Sequence, residues 1–175
     1  MTNNKLRILD DVLDDDNFAR LENVLLQGAE NFQWSITNHV TGRPDENNSD
    51  LWNWQGVHHF YKNDVPCSEQ WEMIRCSLLI PMMKNLKGRT LIRAKANLYP
   101  WTNELQVHDW HCDYDFPHYG AIFCMNTCDG YTKFEDGTKV ESVANRLVLF
   151  DASKPHCSTN TTNQPRRVNI NFNYF

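Results

Sequence analysis

Hydrophobic residues in the first half of the chain recur with helical spacing in two segments. In the first segment the apolar side chains stand three or four residues apart, at Phe18, Leu21, Val24 and Leu25. They follow three aspartates at 14–16, which suit the positive end of a helix dipole, and Gly28 suits the opposite end. The pattern therefore predicts a helix over roughly 15–28.

A second helix is predicted shortly before residue 90. Its apolar positions have the same spacing, at Trp71, Ile74, Leu78 and Met82. Ser68 is a good N-cap with Glu69 in the first turn, and Gly88 suits a C-terminal stop. Pro81 lies inside this pattern, where its ring and its missing N–H predict a kink or a division of the helix.

After residue 89 the pattern changes to short β-like runs. These runs occupy residues 91–99, 119–126, 131–134, 139–143, 145–150 and 166–175. Asp129-Gly130 and Asp136-Gly137 provide turn signals between them. Many short strands at close spacing favour a sandwich or barrel. Helices followed by strands predict an α+β fold, in which the helices buttress a β core.

The length and composition suit one globular domain. At 175 residues the chain can bury a sizeable core, so we expect a single domain over 1–175. Residues 1–89 would give helical and loop support, and residues 90–175 the β core. No apolar run approaches the ~20 residues that cross a bilayer, and the start of the chain shows no secretion leader. We therefore expect a cytoplasmic protein without a membrane partner.

Charge and cysteine content argue against some further classes of protein. The formal net charge of −5 disfavours binding to nucleic acid. Six cysteines without a CxxC pair indicate free thiols rather than a zinc knuckle or a disulfide framework. Nothing in the sequence indicates an oligomeric state.

Residues 40–50 are polar, contain Gly and Pro, and are predicted to form a loop. Aromatic and histidine side chains flank this loop, at Trp34, Trp52, Trp54, His58, His59, Phe60 and Tyr61. They either pack as ordinary core and surface residues or belong to a substrate-facing lid over residues 29–66. The sequence leaves both interpretations open.

Metal-capable side chains are concentrated in the segment VHDWHCDYDF, residues 107–116. Side chains at i and i+2 of a strand share a face, so His111 and Asp113 could enter a barrel together. His156 follows the predicted strand 145–150 and could meet them from across the barrel. Two imidazoles and one carboxylate with open coordination positions form the facial triad of non-heme Fe(II) oxygenases. The lack of paired thiolates argues against structural zinc.

Other side chains near this motif have alternative interpretations. Asp109 shares the strand parity of His111, so a pairing of these two residues stays open. His108 is out of register with His111 and is predicted to be structural or to lie at the rim of the site. Trp110 and Tyr114 are expected to pack or to line the pocket. Asp115 and His118 are expected to belong to the following turn or to touch substrate.

The last predicted strand has an apolar face and a polar face. The polar face consists of Arg167, Asn169, Asn171 and Asn173. If this face points to water, the strand is an ordinary half-exposed one. If it points into a barrel, Arg167 would be a costly buried cation unless it clamps a carboxylate. The keto acid 2-oxoglutarate would supply that anion at one end and chelate a metal at the other.

Residues 97–175 resemble the double-stranded β-helix core of the 2-oxoglutarate- and Fe(II)-dependent dioxygenases, in their prolyl-hydroxylase-like branch. Six pieces occur in the family's order: NLYPWT, HCD, AIFCMN, DGYTKFEDG, NRLVLFD followed by a histidine, and RVNINFNYF. The resemblance implies a jelly-roll, cupin-like core buttressed by the N-terminal helices, with Fe(II), 2-oxoglutarate and O₂ as cofactor and cosubstrates.

The resemblance also assigns roles to single residues. It assigns ligation of the metal, and hence catalysis, to His111, Asp113 and His156. It implies that Arg167 clamps the distal carboxylate of 2-oxoglutarate, that Tyr99 lies by the cosubstrate or substrate, and that Asn169 lines the site. Cys124 stands where several relatives have a tyrosine that touches 2-oxoglutarate, so this contact is missing or is supplied elsewhere. Arg166 is equally well spaced for the clamp, but Arg167 shares a face with the asparagines.

The implied activity is hydroxylation of a small molecule or of a prolyl residue in a peptide or protein, with succinate and CO₂ as coproducts. Demethylation and desaturation use related sites, whereas Asp113 disfavours halogenation. Two alternatives remain open. One is a cupin-like metalloprotein whose chemistry does not use 2-oxoglutarate and needs no Arg167. The other is a non-catalytic binding domain on the same scaffold.

Overall fold

The computed structural model describes residues 6–41, 51–86, 88 and 90–175. Within these residues the fold is mostly β-sheet with few helices, and its strands form an eight-stranded and a three-stranded sheet. Most of the predicted loop at 40–50, and with it part of the suggested lid, lies outside the described residues.

All strand pairs in both sheets are antiparallel. The larger sheet contains β1 (Arg7–Leu9), β2 (Ser35–Thr37), β3 (Gln55–Lys62), β4 (Val65–Pro66), β5 (Leu91–Pro100), β6 (Tyr119–Cys124), β9 (Arg146–Asp151) and β11 (Arg166–Tyr174). The smaller sheet contains β7 (Tyr131–Phe134), β8 (Lys139–Glu141) and β10 (His156–Ser158). The orders are β1-β9-β6-β11-β5-β3-β2, with β4 paired to β3, and β10-β7-β8. The β-like runs predicted after residue 89 are therefore strands.

The first predicted helix is confirmed as α1 (Asp15–Leu25). The side chain of Asp14 accepts a hydrogen bond from the backbone N–H of Asn17 at 2.8 Å, which satisfies one free donor of the first turn. Gly28 has a φ of 73°, which favours glycine, and the chain turns away there.

The second predicted helix is divided. It consists of α2 (Trp71–Ile74), a π-helical turn over Arg75–Leu79 and α3 (Ile80–Met82). Pro81 has no N–H to donate to a carbonyl of the preceding turn, which explains why the regular hydrogen-bond ladder is interrupted before it. The stretch ends at Met82, earlier than the predicted stop at Gly88.

The first 89 residues contribute strands as well as helices. Segment 55–62, whose aromatic residues we predicted only as surroundings of a loop, is strand β3 and pairs with β5 along most of its length. Its register shifts between His59 and Tyr61, and this irregularity masks the alternation that would reveal a strand in the sequence. The β core therefore extends beyond 90–175.

The two faces of the larger sheet have different partners. One face packs against the helices in a core that includes Leu21, Ile74, Ala94, Ala96, Ile170 and Phe172. On the other face, which we call the inner face, a second core joins the two sheets through Ile122, Phe134, Val140, Val148 and Phe150. The smaller sheet therefore covers part of the inner face. The polar residues of β5 and β11 lie on this face beside it.

Candidate metal centre and active site

Residues 107–113 run antiparallel to residues 152–159 but do not form a regular strand. Val107 forms a β-bridge with Thr159, and His111 forms one with His156. Between the two bridges the chain advances four residues on the first segment but only three on the second. One extra residue makes a bulge, and a bulge re-aims the side chains that follow it. This explains how His108 and His111, three positions apart, both contact the inner side of the fold.

The structure brings His111, Asp113 and His156 together. Each offers one ligand atom, and these atoms all lie within 4.8 Å of one another. The backbone N–H of each histidine donates to the carbonyl of the other at 3.0 Å, and the ring centroids are 4.5 Å apart. The backbone itself therefore holds the two imidazoles side by side. Two nitrogens and one oxygen fit Fe(II) and leave coordination positions open.

Both imidazole rings are oriented by a nearby carbonyl. Nδ1 of His156 lies 3.1 Å from the carbonyl oxygen of Lys154, and Nδ1 of His111 lies 3.4 Å from that of Asp109. With the proton on Nδ1, Nε2 of each ring is free to bind a metal.

Asp113 is held at both of its carboxylate oxygens. Nη2 of Arg93 donates to Oδ1 at 2.7 Å, and Nδ2 of Asn173 donates to Oδ2 at 2.8 Å. The ion pair is largely buried, with 13% of the Arg93 side chain and 8% of the Asp113 side chain exposed. A carboxylate has about four acceptor positions, so both contacts are compatible with metal ligation.

We expect Arg93→Met to weaken binding of Fe(II) or Mn(II) about 10-fold to 100-fold, the usual cost of losing a partner that orients a ligand. Arg75→Met is the matched control, because Arg75 pairs with Glu72 on the surface. Metal titrations of both variants measure the effect. Equal affinities would mean that Arg93 does not position Asp113.

All three residues are in the protonation state that binds metal. Burial lowers the pKa of His111 to about 4, assisted by the charge of His156, and burial also lowers the pKa of His156. Burial raises the pKa of Asp113, but Arg93 and His156 outweigh it and hold the pKa at about 2. At neutral pH the imidazoles are neutral and the carboxylate is ionised, so no proton competes with a cation.

Arg167 is fully buried at the opposite end of β11. Its Nη1 donates to the carbonyl oxygens of Tyr131 at 3.0 Å and Thr159 at 3.1 Å, and Nη2 donates to Oγ1 of Thr132 at 3.0 Å. Its Nε has no hydrogen-bond partner. No carboxylate of the described residues lies within ion-pair distance of the guanidinium. A buried cation without an anion fits a site for an acidic ligand.

Gly130 allows the Arg167 side chain to pass. A Cβ at this position would lie 2.5 Å from the carbonyl oxygen of Asn160 and 2.7 Å from Cδ of Arg167. A side chain would therefore displace either the backbone or the guanidinium, which gives the predicted Asp129-Gly130 turn a role in the site.

Tyr99 and His108 form an aromatic wall next to Arg167. The guanidinium carbon lies 5.5 Å from the centre of the Tyr99 ring, and the Tyr99 and His108 ring centroids are 5.1 Å apart. Trp52 also stacks on His108, with ring centroids 5.9 Å apart. The contacts place Tyr99 beside the candidate clamp. They also make His108 a buried wall residue, which sequence parity could not indicate because of the bulge.

The His108 imidazole is expected to make folding pH-dependent. Ser158 and Asn160 hydrogen-bond its two nitrogens, and burial lowers its pKa to about 4 from 6.5. Between these values the unfolded chain binds a proton that the folded chain does not, so stability falls as the pH falls. From pH 7 to pH 5 this one residue would cost about 2 kcal/mol.

Urea unfolding at both pH values measures this effect. His108→Gln keeps polar contacts but cannot titrate, so its stability should change less between pH 7 and pH 5 than that of the wild type. An unchanged pH dependence would show that His108 does not contribute to it.

The inner face is ordered as four cross-strand rows between β5 and β11. In chain order along β11 they are Tyr99–Arg167, Asn97–Asn169, Lys95–Asn171 and Arg93–Asn173. Nδ2 of Asn97 donates to Oδ1 of Asn169 at 3.0 Å in the second row, so Asn169 lies on the inner face next to the row of Arg167. The first row carries the candidate clamp, and the fourth row contacts Asp113.

Several residues named as alternatives lie away from the metal group. Asp109 is exposed and outside the group of three ligand atoms. Arg166 donates to the carbonyl of Leu26 at the end of α1, on the helix side of the sheet. Cys124 is buried and pairs with Asn169 of β11. Its short thiol cannot replace the tyrosine hydroxyl that several relatives have at this position. Trp110 is 48% exposed, which favours a surface position.

Tyr114, Asp115 and His118 follow the metal-binding segment along the chain. The Tyr114 ring stacks on Phe116 at 5.1 Å, and the Arg93 guanidinium lies 5.2 Å from the Tyr114 ring centre. His118 is buried, with Nδ1 2.8 Å from the carbonyl oxygen of Phe116, and Asp115 is exposed. Sequence reasoning missed Arg93 altogether, because nothing local links it to a residue 20 positions away.

Solved structures of prolyl hydroxylases and of a 2-oxoglutarate- and Fe(II)-dependent oxygenase resemble this chain in fold. A prolyl hydroxylase from Trichoplax adhaerens, solved with a hypoxia-inducible-factor peptide, is 15% identical, and the match covers 99% of this chain and 84% of that one with a TM-score of 0.65. A viral collagen prolyl hydroxylase from Paramecium bursaria Chlorella virus-1, solved with 2-oxoglutarate, is 12% identical over 98% and 96% of the chains with a TM-score of 0.61. No family model and no curated protein matches the chain.

The same fold also serves a different reaction. The epimerase SnoN from nogalamycin biosynthesis, which depends on α-ketoglutarate, is 11% identical over 98% of this chain and 78% of that one with a TM-score of 0.65. The chain therefore has the fold of prolyl hydroxylases and other 2-oxoglutarate- and Fe(II)-dependent oxygenases, as the sequence resemblance predicted. At these identities the comparison defines the fold and leaves the reaction open.

No helix in the described part of the chain is long and apolar enough to cross a membrane.

Proposed function

We propose that this protein is a 2-oxoglutarate-dependent, non-heme Fe(II) oxygenase, and that hydroxylation is its reaction. The observation that carries this proposal is the combination of two features on one inner face. A group of two histidines and one aspartate can hold a metal, and a buried arginine without an anionic partner lies further along the same sheet. A cupin-like metalloprotein that does not use 2-oxoglutarate would need only the first feature.

The proposed site has a definite division of roles. His111, Asp113 and His156 hold Fe(II), and Arg167 binds the distal carboxylate of 2-oxoglutarate. When bound, the metal and the cosubstrate supply the oxidation of a C–H bond by O₂, with succinate and CO₂ as coproducts.

The residues around the site orient the cosubstrate and exclude water from it. Arg167 is inaccessible to solvent and Tyr99 is 5% exposed, so the distal carboxylate would bind in a dry pocket where a charge-assisted contact is strong. Burial raises the pKa of the Tyr99 hydroxyl, partly opposed by Arg167, so the phenol stays protonated and can donate a hydrogen bond. Asn97 and Asn169 present amide groups in the next row.

Architecture and substrate are part of the same proposal. We infer that the two facing sheets form a double-stranded β-helix within a single domain over 1–175. A prolyl residue of a peptide or protein, or a small molecule, would be the substrate. Two prolyl hydroxylases of the same fold support the prolyl alternative, and the acidic net charge argues against a nucleic acid.

The test is an anaerobic titration of the Fe(II)-loaded protein with 2-oxoglutarate, followed by assays of 2-oxoglutarate turnover in air. Chelation of the metal by the keto acid should produce a visible charge-transfer band, and prolyl peptides or small molecules should stimulate release of succinate. A protein that binds Fe(II) but gives no band at saturating 2-oxoglutarate would be a binding domain or a cupin-like enzyme of different chemistry.

A further inference from the structure

Lys95 is a cation on the inner face that the proposed site leaves unused. It lies on β5 in the third cross-strand row, opposite Asn171 on one side and His59 on the other. None of the carboxylates that the structure describes lies within ion-pair distance of its ammonium group. In the same row, Oδ1 of Asn171 is buried without a hydrogen-bond partner. The Lys95 ammonium is therefore a cation that an anionic ligand could pair with, beside an amide oxygen that only a hydrogen-bond donor could satisfy.

The ammonium group of Lys95 acts on the metal group. Its charge contributes to lowering the pKa of both His111 and Asp113. Arg93 and Lys62 add further positive charge close to Lys95, and Asp113 opposes them. Arg93 and Lys95 thus both act on the Asp113 carboxylate, and a divalent metal would add further positive charge. An anion bound here would gain from all of them.

Lys95 also stands between the candidate clamp and the metal group. Asn171 follows Arg167 by four residues on β11, which at ~3.3 Å per residue puts the third row about 13 Å from the first. The fourth row, only two residues further along, contacts Asp113. Counted along β11, the Lys95–Asn171 row therefore lies between Arg167 and the row that contacts Asp113.

We propose that Lys95 binds the keto-acid carboxylate of 2-oxoglutarate, at the end that faces the metal. This inference rests on the proposed function. The cosubstrate carries a carboxylate at each end, and Arg167 can neutralise only the distal one. Lys95 gives the second carboxylate a cation of its own, so the site binds a dicarboxylate through two cationic side chains in addition to the metal.

A second consequence concerns the metal alone. Without the keto acid, the positive charge of Lys95 repels a divalent cation at the group of His111, Asp113 and His156. Removal of this charge should therefore strengthen metal binding and weaken keto-acid binding. Replacing a residue that only supports the fold would weaken both metal binding and keto-acid binding, or neither. Opposite changes in these two affinities would therefore identify an electrostatic role.

The experiment is calorimetric titration with Mn(II), followed by titration of the Mn(II)-loaded protein with 2-oxoglutarate and with 2-oxobutyrate, which lacks the distal carboxylate. Lys95→Met should weaken binding of both keto acids by a similar factor of about 10-fold to 100-fold, the loss expected for one charge-assisted hydrogen bond. The same variant should bind Mn(II) alone several-fold more tightly. Arg167→Met should weaken only 2-oxoglutarate.

Two further variants complete the design. Lys84→Met removes an exposed lysine and should change nothing, and Lys95→Arg should restore keto-acid affinity to within a few-fold. The inference is wrong if Lys95→Met leaves both affinities unchanged, or if it weakens 2-oxoglutarate but not 2-oxobutyrate. If the wild-type Mn(II) protein binds neither keto acid, the proposed function itself fails. If Lys95→Met does not fold, Lys95→Gln provides the same comparison with a polar side chain.

Discussion

Replacing His111 by alanine is expected to lower the affinity for Fe(II) by more than about 100-fold and to abolish turnover of 2-oxoglutarate. Loss of a partner that only orients a ligand already costs about 10-fold to 100-fold, and His111 would supply one of the three donor atoms itself. The charge-transfer band expected with 2-oxoglutarate should disappear with the metal. Metal titration, anaerobic absorption and succinate release measure the three effects.

His111 is a cleaner test than Asp113. Removing the Asp113 carboxylate leaves the largely buried Arg93 without its anion, which commonly costs 3–5 kcal/mol of stability. Asp109→Asn is the matched control, because this exposed acid lies two residues from His111 in the same segment. Metal affinity in His111→Ala equal to that of the control would disprove the metal group, whatever happens to catalysis.

Much of the fold was predictable because strands and helices leave recognisable patterns in short stretches of sequence. The alternation of Arg167, Asn169, Asn171 and Asn173 with apolar residues predicted one strand with a polar face. That strand is β11, and its polar face lies against the candidate site. The spacing of Leu21, Val24 and Leu25 predicted α1 in the same way, and these side chains are buried. Period and capping are properties of neighbouring residues, so a single sequence contains them.

The parts that were not predictable depend on irregular backbone. Strand β3 shifts register after His59, so its sequence does not alternate cleanly. The bulge between Val107 and His111 turns His108 into the site, although simple parity assigns it to the other face. A single extra residue reverses the expected direction of every side chain beyond it, and nothing in the local sequence marks where it is inserted.

Contacts between distant residues were also invisible in the sequence. Arg93 reaches Asp113 across the site, and Lys95 acts on the same carboxylate from the next row. In the sequence both are ordinary charged residues of a β-like run. Only the pairing of β5 with β11 turns them toward the metal group. The sequence therefore indicated the candidate residues that belong to a recognisable motif. The structure adds Arg93 and Lys95, which only strand pairing brings close to that motif.

Replacing Arg167 by methionine is expected to raise the dissociation constant for 2-oxoglutarate about 30-fold or more while leaving Fe(II) affinity close to that of the wild type. Truncating one partner of a buried charge pair commonly costs at least about 2 kcal/mol of binding free energy. Metal affinity should persist because Arg167 donates to Tyr131, Thr159 and Thr132, outside the group of metal-binding atoms. Anaerobic titrations with metal and cosubstrate separate the two effects.

Arg166→Met decides between the two neighbouring arginines. Spacing along the chain did not distinguish them, but Arg166 donates to the carbonyl of Leu26 on the helix side of the sheet, whereas Arg167 is buried on the inner face. Arg166→Met should therefore lose some stability and keep its affinity for 2-oxoglutarate. Arg167→Met leaves two buried carbonyl oxygens without their donor, at about 1–3 kcal/mol, so folding must be checked in both variants. A loss of cosubstrate affinity in Arg166→Met alone would move the clamp to the other face and contradict the proposed site.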